Sequence, residues 1–130
     1  MSREDEELAL LRQLFSVDYE PTGRWVRVKG YRIHAPGWNR SVSDTAFQIL
    51  PTYPAPPYGF YVPVGIRHNG AVPENYKEPA PAQPPFGPES WAMFSWTPED
   101  GQWRPGSTVH NGSNLCDWVR GFAQRFQGGA

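Results

Sequence analysis

Ser95 lies in "WAMFSWTPEDGQWRPG", residues 91 to 106, with Trp91, Phe94, Trp96 and Trp103 around it. A serine hydroxyl attacks an acyl carbon well only where a base takes its proton and donors stabilise the oxyanion. Without such partners it is a structural hydroxyl among core aromatics. The bases on offer are His34, His68 and His110, far apart in sequence and without paired-ligand spacing. No metal site is expected from them. A single cysteine, Cys116, excludes an internal disulfide and any multi-cysteine zinc centre. Cys116 sits one step from the apolar positions Leu115, Trp118 and Val119, which reads as a small buried hydrophobe rather than a reactive thiolate. No cofactor is expected.

A chain of 130 residues suffices for one domain with a real core, and a single domain over residues 1–130 is expected. Six tryptophans, six tyrosines and seven phenylalanines supply that core despite only 38% apolar residues. The net charge is -1, with both signs scattered, and no basic stripe is present to neutralise phosphates. Nucleic acid is therefore not an expected partner. No apolar run is long enough to span a bilayer, and the start is acidic, "MSREDEE", so a soluble, cytoplasmic protein without membrane contact is expected.

These candidate groups must be positioned by a small set of elements. "SREDEELALLRQLFSV" reads as a helix capped by Ser2, with acids in its first turn and Leu8, Leu11 and Phe15 on one face. "RWVRVKGYRI" alternates apolar and basic residues, as a half-buried strand or a hairpin broken at Gly30 does. "DTAFQILPTY" and "YGFYVPVGIR" are further strands, the second confined by Pro63 to an edge or bulge. Eleven of the fifteen prolines fall between residues 51 and 88, and the stretch 71–90 reads as a long proline-rich loop or flap. "SNLCDWVRGFAQRF" is a second helix, with Ser113 as its cap and an apolar stripe through Leu115, Trp118, Val119, Phe122 and Phe126. Helices at the two ends of about four short strands imply an α+β fold with an antiparallel meander.

"LPTYPAPPYGFYVP" resembles the Y-P-x-x-P-P turn of ubiquitin-conjugating (UBC-fold) proteins, here Tyr53, Pro54, Pro56 and Pro57, followed directly by the next strand. A preceding helix and meander, and a late W-x-P (Trp103, Arg104, Pro105) before a helix, follow that family's order. The resemblance covers roughly residues 3 to 127. The W-x-x-[FW]-S pattern followed by "WRPG" also resembles a bacterial branch, the prokaryotic UBC family E, whose members accompany ubiquitin-like proteins and activating enzymes. The resemblance implies a UBC-like fold: N-terminal helix, four-stranded antiparallel meander, long proline-rich loop and C-terminal helix.

It also implies a place for the chemistry. UBC enzymes keep a thioester-forming cysteine eight residues before the tryptophan of W-x-P, and here that position is Ser95. The family layout brings His110 of "STVHNGSN" nearest as a base. His68 is second, with Asn69 as oxyanion donor in "IRHNG", a partial counterpart of the family's HPN tripeptide. The function implied is acceptance of a ubiquitin-like modifier from an activating enzyme, as an oxyester on Ser95 beneath the proline-rich flap. Two alternatives stay open. One is an inert UBC-fold module that binds a ubiquitin-like protein or activating enzyme. The other is an aromatic-rich β domain binding carbohydrate or proline-rich peptide, which requires a row of exposed indoles.

Overall fold

The computed structural model describes residues 2–98 and 101–128. Helix α1 (Arg3–Leu14) starts as the sequence dictates: Ser2 Oγ accepts the Asp5 N–H at 3.1 Å, and Glu4, Asp5 and Glu6 fill the first turn. The chain turns straight from Phe15 into β1 (Ser16–Glu20), a strand absent from the sequence reading. Next come β2 (Trp25–Arg32), β3 (Val42–Gln48) and β4 (Phe60–Pro63), then β5 (Tyr76–Lys77), β6 (Trp91–Phe94) and α2 (Leu115–Gln127).

The fold is α+β, with a helix at each end of one antiparallel sheet. Among the described residues that sheet has six strands in the order β1-β2-β3-β4-β6-β5, not the four expected. β1 to β4 run as an antiparallel meander, of which β2, β3 and β4 fall on the strands read from the sequence, and a further pair comes from residues 76–94. Strand β2 is one strand bent by a register shift between Val28 and Tyr31, where Gly30 adopts φ +67 and donates its N–H to Asp44. Strand β4 is interior rather than an edge, because β6 pairs on its far side; Pro63 is tolerated as its last residue.

Both faces of the sheet are covered. On one, α1 and α2 bury Leu8, Leu11, Phe122 and Phe126 against Val26, Phe47, Phe60 and Phe94. The Phe60 and Phe122 rings stack at 4.1 Å between centroids. On the other, Trp25, Ala46, Tyr61 and Trp91 are covered by Ala80 and Phe86 of the proline-rich segment. That segment is therefore a strap built into the sheet rather than a flap. Gln83 bonds both the N–H and the carbonyl of Trp91, Trp91 Nε1 donates to Phe86 O at 2.8 Å, and Ala80 N–H donates to Trp91 O. Prolines cannot donate to a ladder, so side-chain amide and indole groups supply the missing bonds.

Helix α2 is capped by Asn114, not Ser113. Asn114 accepts from the Cys116 and Asp117 N–H groups, while Asp117 accepts the Asn114 N–H, a closed capping box. Ser113 Oγ is engaged elsewhere, accepting the Arg104 N–H at 2.9 Å.

Candidate functional site

Ser95 directly follows β6, which lies between β4 and β5. The β5–β6 register pairs Tyr76 with Phe94, so its continuation sets Asn75 opposite Ser95. The Ser95 N–H donates to Asn75 O at 2.8 Å, which confirms that placement. On the other flank the β4–β6 register pairs Phe60 with Phe94 and sets Gly59 opposite Ser95. Gly59 donates its N–H to Trp96 O at 2.7 Å. Thr97 Oγ1 donates to Pro57 O at 2.7 Å, fastening the chain beyond Ser95 to the proline turn. Ser95 is half-buried, and among the described residues its hydroxyl has no hydrogen-bond partner. Phe94 and Trp96 both pack toward α2, so strand alternation directs Ser95 away from it.

Asn75 is the residue that sequence reasoning missed. It adopts φ +53, a conformation asparagine tolerates better than most residues, and its exposed amide has no partner among the described residues. It is held from both sides. The preceding carbonyl, Glu74 O, accepts from Arg125 of α2 at 2.6 Å, and the Arg125 guanidinium lies 4.7 Å from the Phe94 ring centroid. The residues after it form a cluster: Glu78 accepts from Tyr76 Oη at 2.6 Å, from the Arg67 guanidinium and from the Gly65 N–H. Hydrogen bonds from Arg67, then Tyr76 and Gly65, hold the Glu78 carboxyl down at about 2. Burial and the same carboxylate push the Tyr76 hydroxyl up to about 12.

The histidines stand apart. His68 lies against Trp38, with ring centroids 4.9 Å apart, and its Nε2 is 3.2 Å from Pro36 O. Asn69 adopts φ +51 and donates its N–H to Gly37 O at 2.7 Å. Both belong to the turn that seats Trp38, and Trp38 in turn packs edge-on to Phe94. His110 is exposed in the turn beside buried Val109. Among the described residues no hydrogen bond joins His68, Asn69 or His110 to Ser95. Of the proline-rich segment it is Asn75 that reaches Ser95; the strap itself grips Trp91, at the other end of β6.

The motifs that flank the serine do meet. Trp103 Nε1 donates to Pro54 O at 2.7 Å and its ring lies 6.2 Å from Tyr53. The W-x-P and Y-P-x-x-P-P stretches thus close on each other across 49 residues. Beside them a cleft of about 530 Å³ is lined by Trp96, Trp103, Arg104, Ser113 and Asp117. Gly121 of α2 leaves room there for Trp96, since a Cβ on it would lie 2.9 Å from the indole.

Cys116 is buried, and burial pushes its thiol above the ordinary range, away from nucleophilic use. None of the six tryptophans is exposed: Trp25, Trp91 and Trp118 are buried, and Trp38, Trp96 and Trp103 are half-buried against the core. That removes the row of free indoles a carbohydrate-binding surface needs. Among the described residues no His/Cys/Asp/Glu group could hold a metal ion, and no helix is long and apolar enough to cross a membrane. No protein-family model, curated protein or solved structure matches the chain.

Proposed function

We propose that this chain is a UBC-fold, conjugating-enzyme-like protein of a bacterial ubiquitination-like pathway, acting in the cytoplasm and accepting a ubiquitin-like modifier from an activating enzyme as an oxyester on Ser95. The observation that carries the reading is the unpaired Ser95 hydroxyl just beyond β6, a strand lying between β4 and β5, with the Ser95 N–H bonded to the Asn75 carbonyl. The bond from Trp103 to the Pro54 carbonyl supports it, since it joins the two stretches on which the family resemblance rests.

In the transfer, Ser95 Oγ attacks the carbonyl carbon of the modifier's thioester on the activating enzyme. The C–O bond forms, the C–S bond breaks, and the hydroxyl proton ends on the departing sulfur as a thiol. In this scheme the Asn75 amide donates to the carbonyl oxygen as charge develops on it. No histidine is bonded to Ser95, so the leaving thiolate, not a resident base, is the proton acceptor in this scheme.

The absence of a bonded histidine also favours a second reading, an inert UBC-fold module that binds the modifier or the activating enzyme without covalent chemistry. Intact mass separates the two. The protein is incubated with ATP, an activating enzyme and a ubiquitin-like protein. An adduct that needs Ser95, resists thiol and falls to mild base is expected. No adduct under conditions where the activating enzyme charges itself would establish the binding module instead.

A further inference from the structure

A second cleft, of about 450 Å³, opens between the end of α1, the bulge of β2 and the middle of α2, and its lining is cationic without a carboxylate. Lys29, Arg32 and His34 come from β2 and the residues after it, and Arg120 from α2. Two acids beside β2 are engaged. Asp18 is held by Arg27 and lies 3.8 Å from Lys29, and Asp44 accepts the Gly30 N–H. Arg32, His34 and Arg120 form no ion pair among the described residues. In a chain of net charge -1 this gathering of like charge is local, and an anionic ligand relieves its repulsion.

The shape selects among anions. The floor is apolar, made by Phe15 and Tyr31, and Leu14 stands at the rim 51% exposed. A smaller hollow shares Arg32, His34 and Ala123 with this cleft and reaches Phe126 and Gln127. That makes a groove along α2, longer than a phosphate. A backbone nest for phosphate is lacking at its bend, because the Gly30 N–H is taken by Asp44. We propose that this groove docks an extended acidic peptide segment of a partner protein, its carboxylates on Arg32, His34 and Arg120 and one apolar side chain against Phe15 and Leu14. The inference stands apart from Ser95 and holds whether or not that residue is acylated.

The test is fluorescence anisotropy on the full chain with a fluorescein-labelled decapeptide of glutamates flanking a central leucine. Saturable binding is expected, weakened roughly tenfold or more by high salt and by Arg32→Glu combined with Arg120→Glu. The same peptide with glutamine for glutamate should not bind. Backbone amide shifts on peptide addition should centre on Gly30, Tyr31 and Ala123 in the unmodified protein, which keeps the test valid if the double variant unfolds. Failure to saturate, binding indifferent to the reversals in a folded variant, or shifts centred elsewhere would overturn the proposal. So would equal displacement of the peptide by inorganic phosphate or by a single-stranded oligonucleotide.

Discussion

One carboxylate oxygen of Glu7 accepts two hydrogen bonds, from Tyr53 Oη at 2.5 Å and from the Leu115 N–H at 2.6 Å, while the other takes Arg3 Nε at 2.8 Å. Glu7 is fully buried, so a single side chain of α1 joins the proline turn to the first turn of α2. Its charge faces the amino end of α2, where the helix dipole favours it. Burial and the carboxylate push the Tyr53 hydroxyl well above the usual phenol range. The Trp103 contact with Tyr53 and Pro54 is built on this anchor.

Glu7→Ala should therefore cost about 3 kcal/mol, because it strands a buried N–H, a tyrosine hydroxyl and a guanidinium at once. Glu7→Gln keeps an acceptor oxygen and should lose about 1 kcal/mol. Urea unfolding of the three proteins measures both. A loss in Glu7→Ala no larger than in Glu7→Gln would show that the three bonds are not the anchor.

The Glu78 cluster predicts an acid limb in the stability profile. Its carboxyl is held near 2 in the folded protein against an ordinary 4.5, so the unfolded chain binds the proton more readily. The stabilisation is complete above about pH 4.5 and drains away as pH falls toward 2. The Arg67–Glu78 pair is partly exposed and screened, so the effect should be about 1 kcal/mol or less. Glu78→Gln should flatten that part of a urea-midpoint profile while leaving the neutral region lower and level. A profile with the unaltered acid slope would sink the assignment.

Some of this molecule was written plainly in its sequence. The steps of three and four from Leu115 to Phe126 specified α2, and Ser2 with the acids after it specified the start of α1. Strand β6 could not be read the same way. Trp91 and Met93 face the strap while Ala92 and Phe94 face the helices, so both sides are apolar and no alternation shows. Strand β1 hid because Val17 and Tyr19 continue the apolar run that ends α1. Strand β5 is two residues long amid prolines, and only pairing with β6 defines it. The Asn75–Ser95 juxtaposition follows from that register alone, across twenty residues whose spacing carries no local signal. Asn69 drew attention for its place after a histidine, yet its geometry serves the Trp38 turn.

Ser95 and Asn75 make separable predictions. Ser95→Cys should still be charged, but through a thioester that falls to thiol, and Ser95→Ala should give no adduct. Asn75→Ala should slow acylation by roughly tenfold to a hundredfold and also lower the melting temperature, because alanine tolerates the positive φ less well than asparagine. Asn75→Gly is the control for the positive φ, since glycine keeps the turn and lacks the amide. Equal rates for Asn75→Gly and the unaltered protein would remove the amide from the mechanism.

Arg125 should act on Ser95 without touching it. Its guanidinium is buried against Phe94 and donates to Glu74 O, and the next residue's carbonyl receives the Ser95 N–H. Burial holds its pKa below the ordinary arginine value, yet the bond and the aromatic face keep the charge in place. Arg125→Ala should cost about 2 to 3 kcal/mol by leaving the Glu74 carbonyl unpaired and the ring uncovered. A purely structural arginine would change stability alone. A positioning one should also slow Ser95 acylation at temperatures where both proteins are fully folded, because Asn75 loses the tether on its amino side. Arg125→Lys can still reach the carbonyl but lacks the flat guanidinium, so it should recover part of both losses. Full acylation rate in a folded Arg125→Ala protein would confine Arg125 to the core and leave the Glu78 cluster as the holder of Asn75.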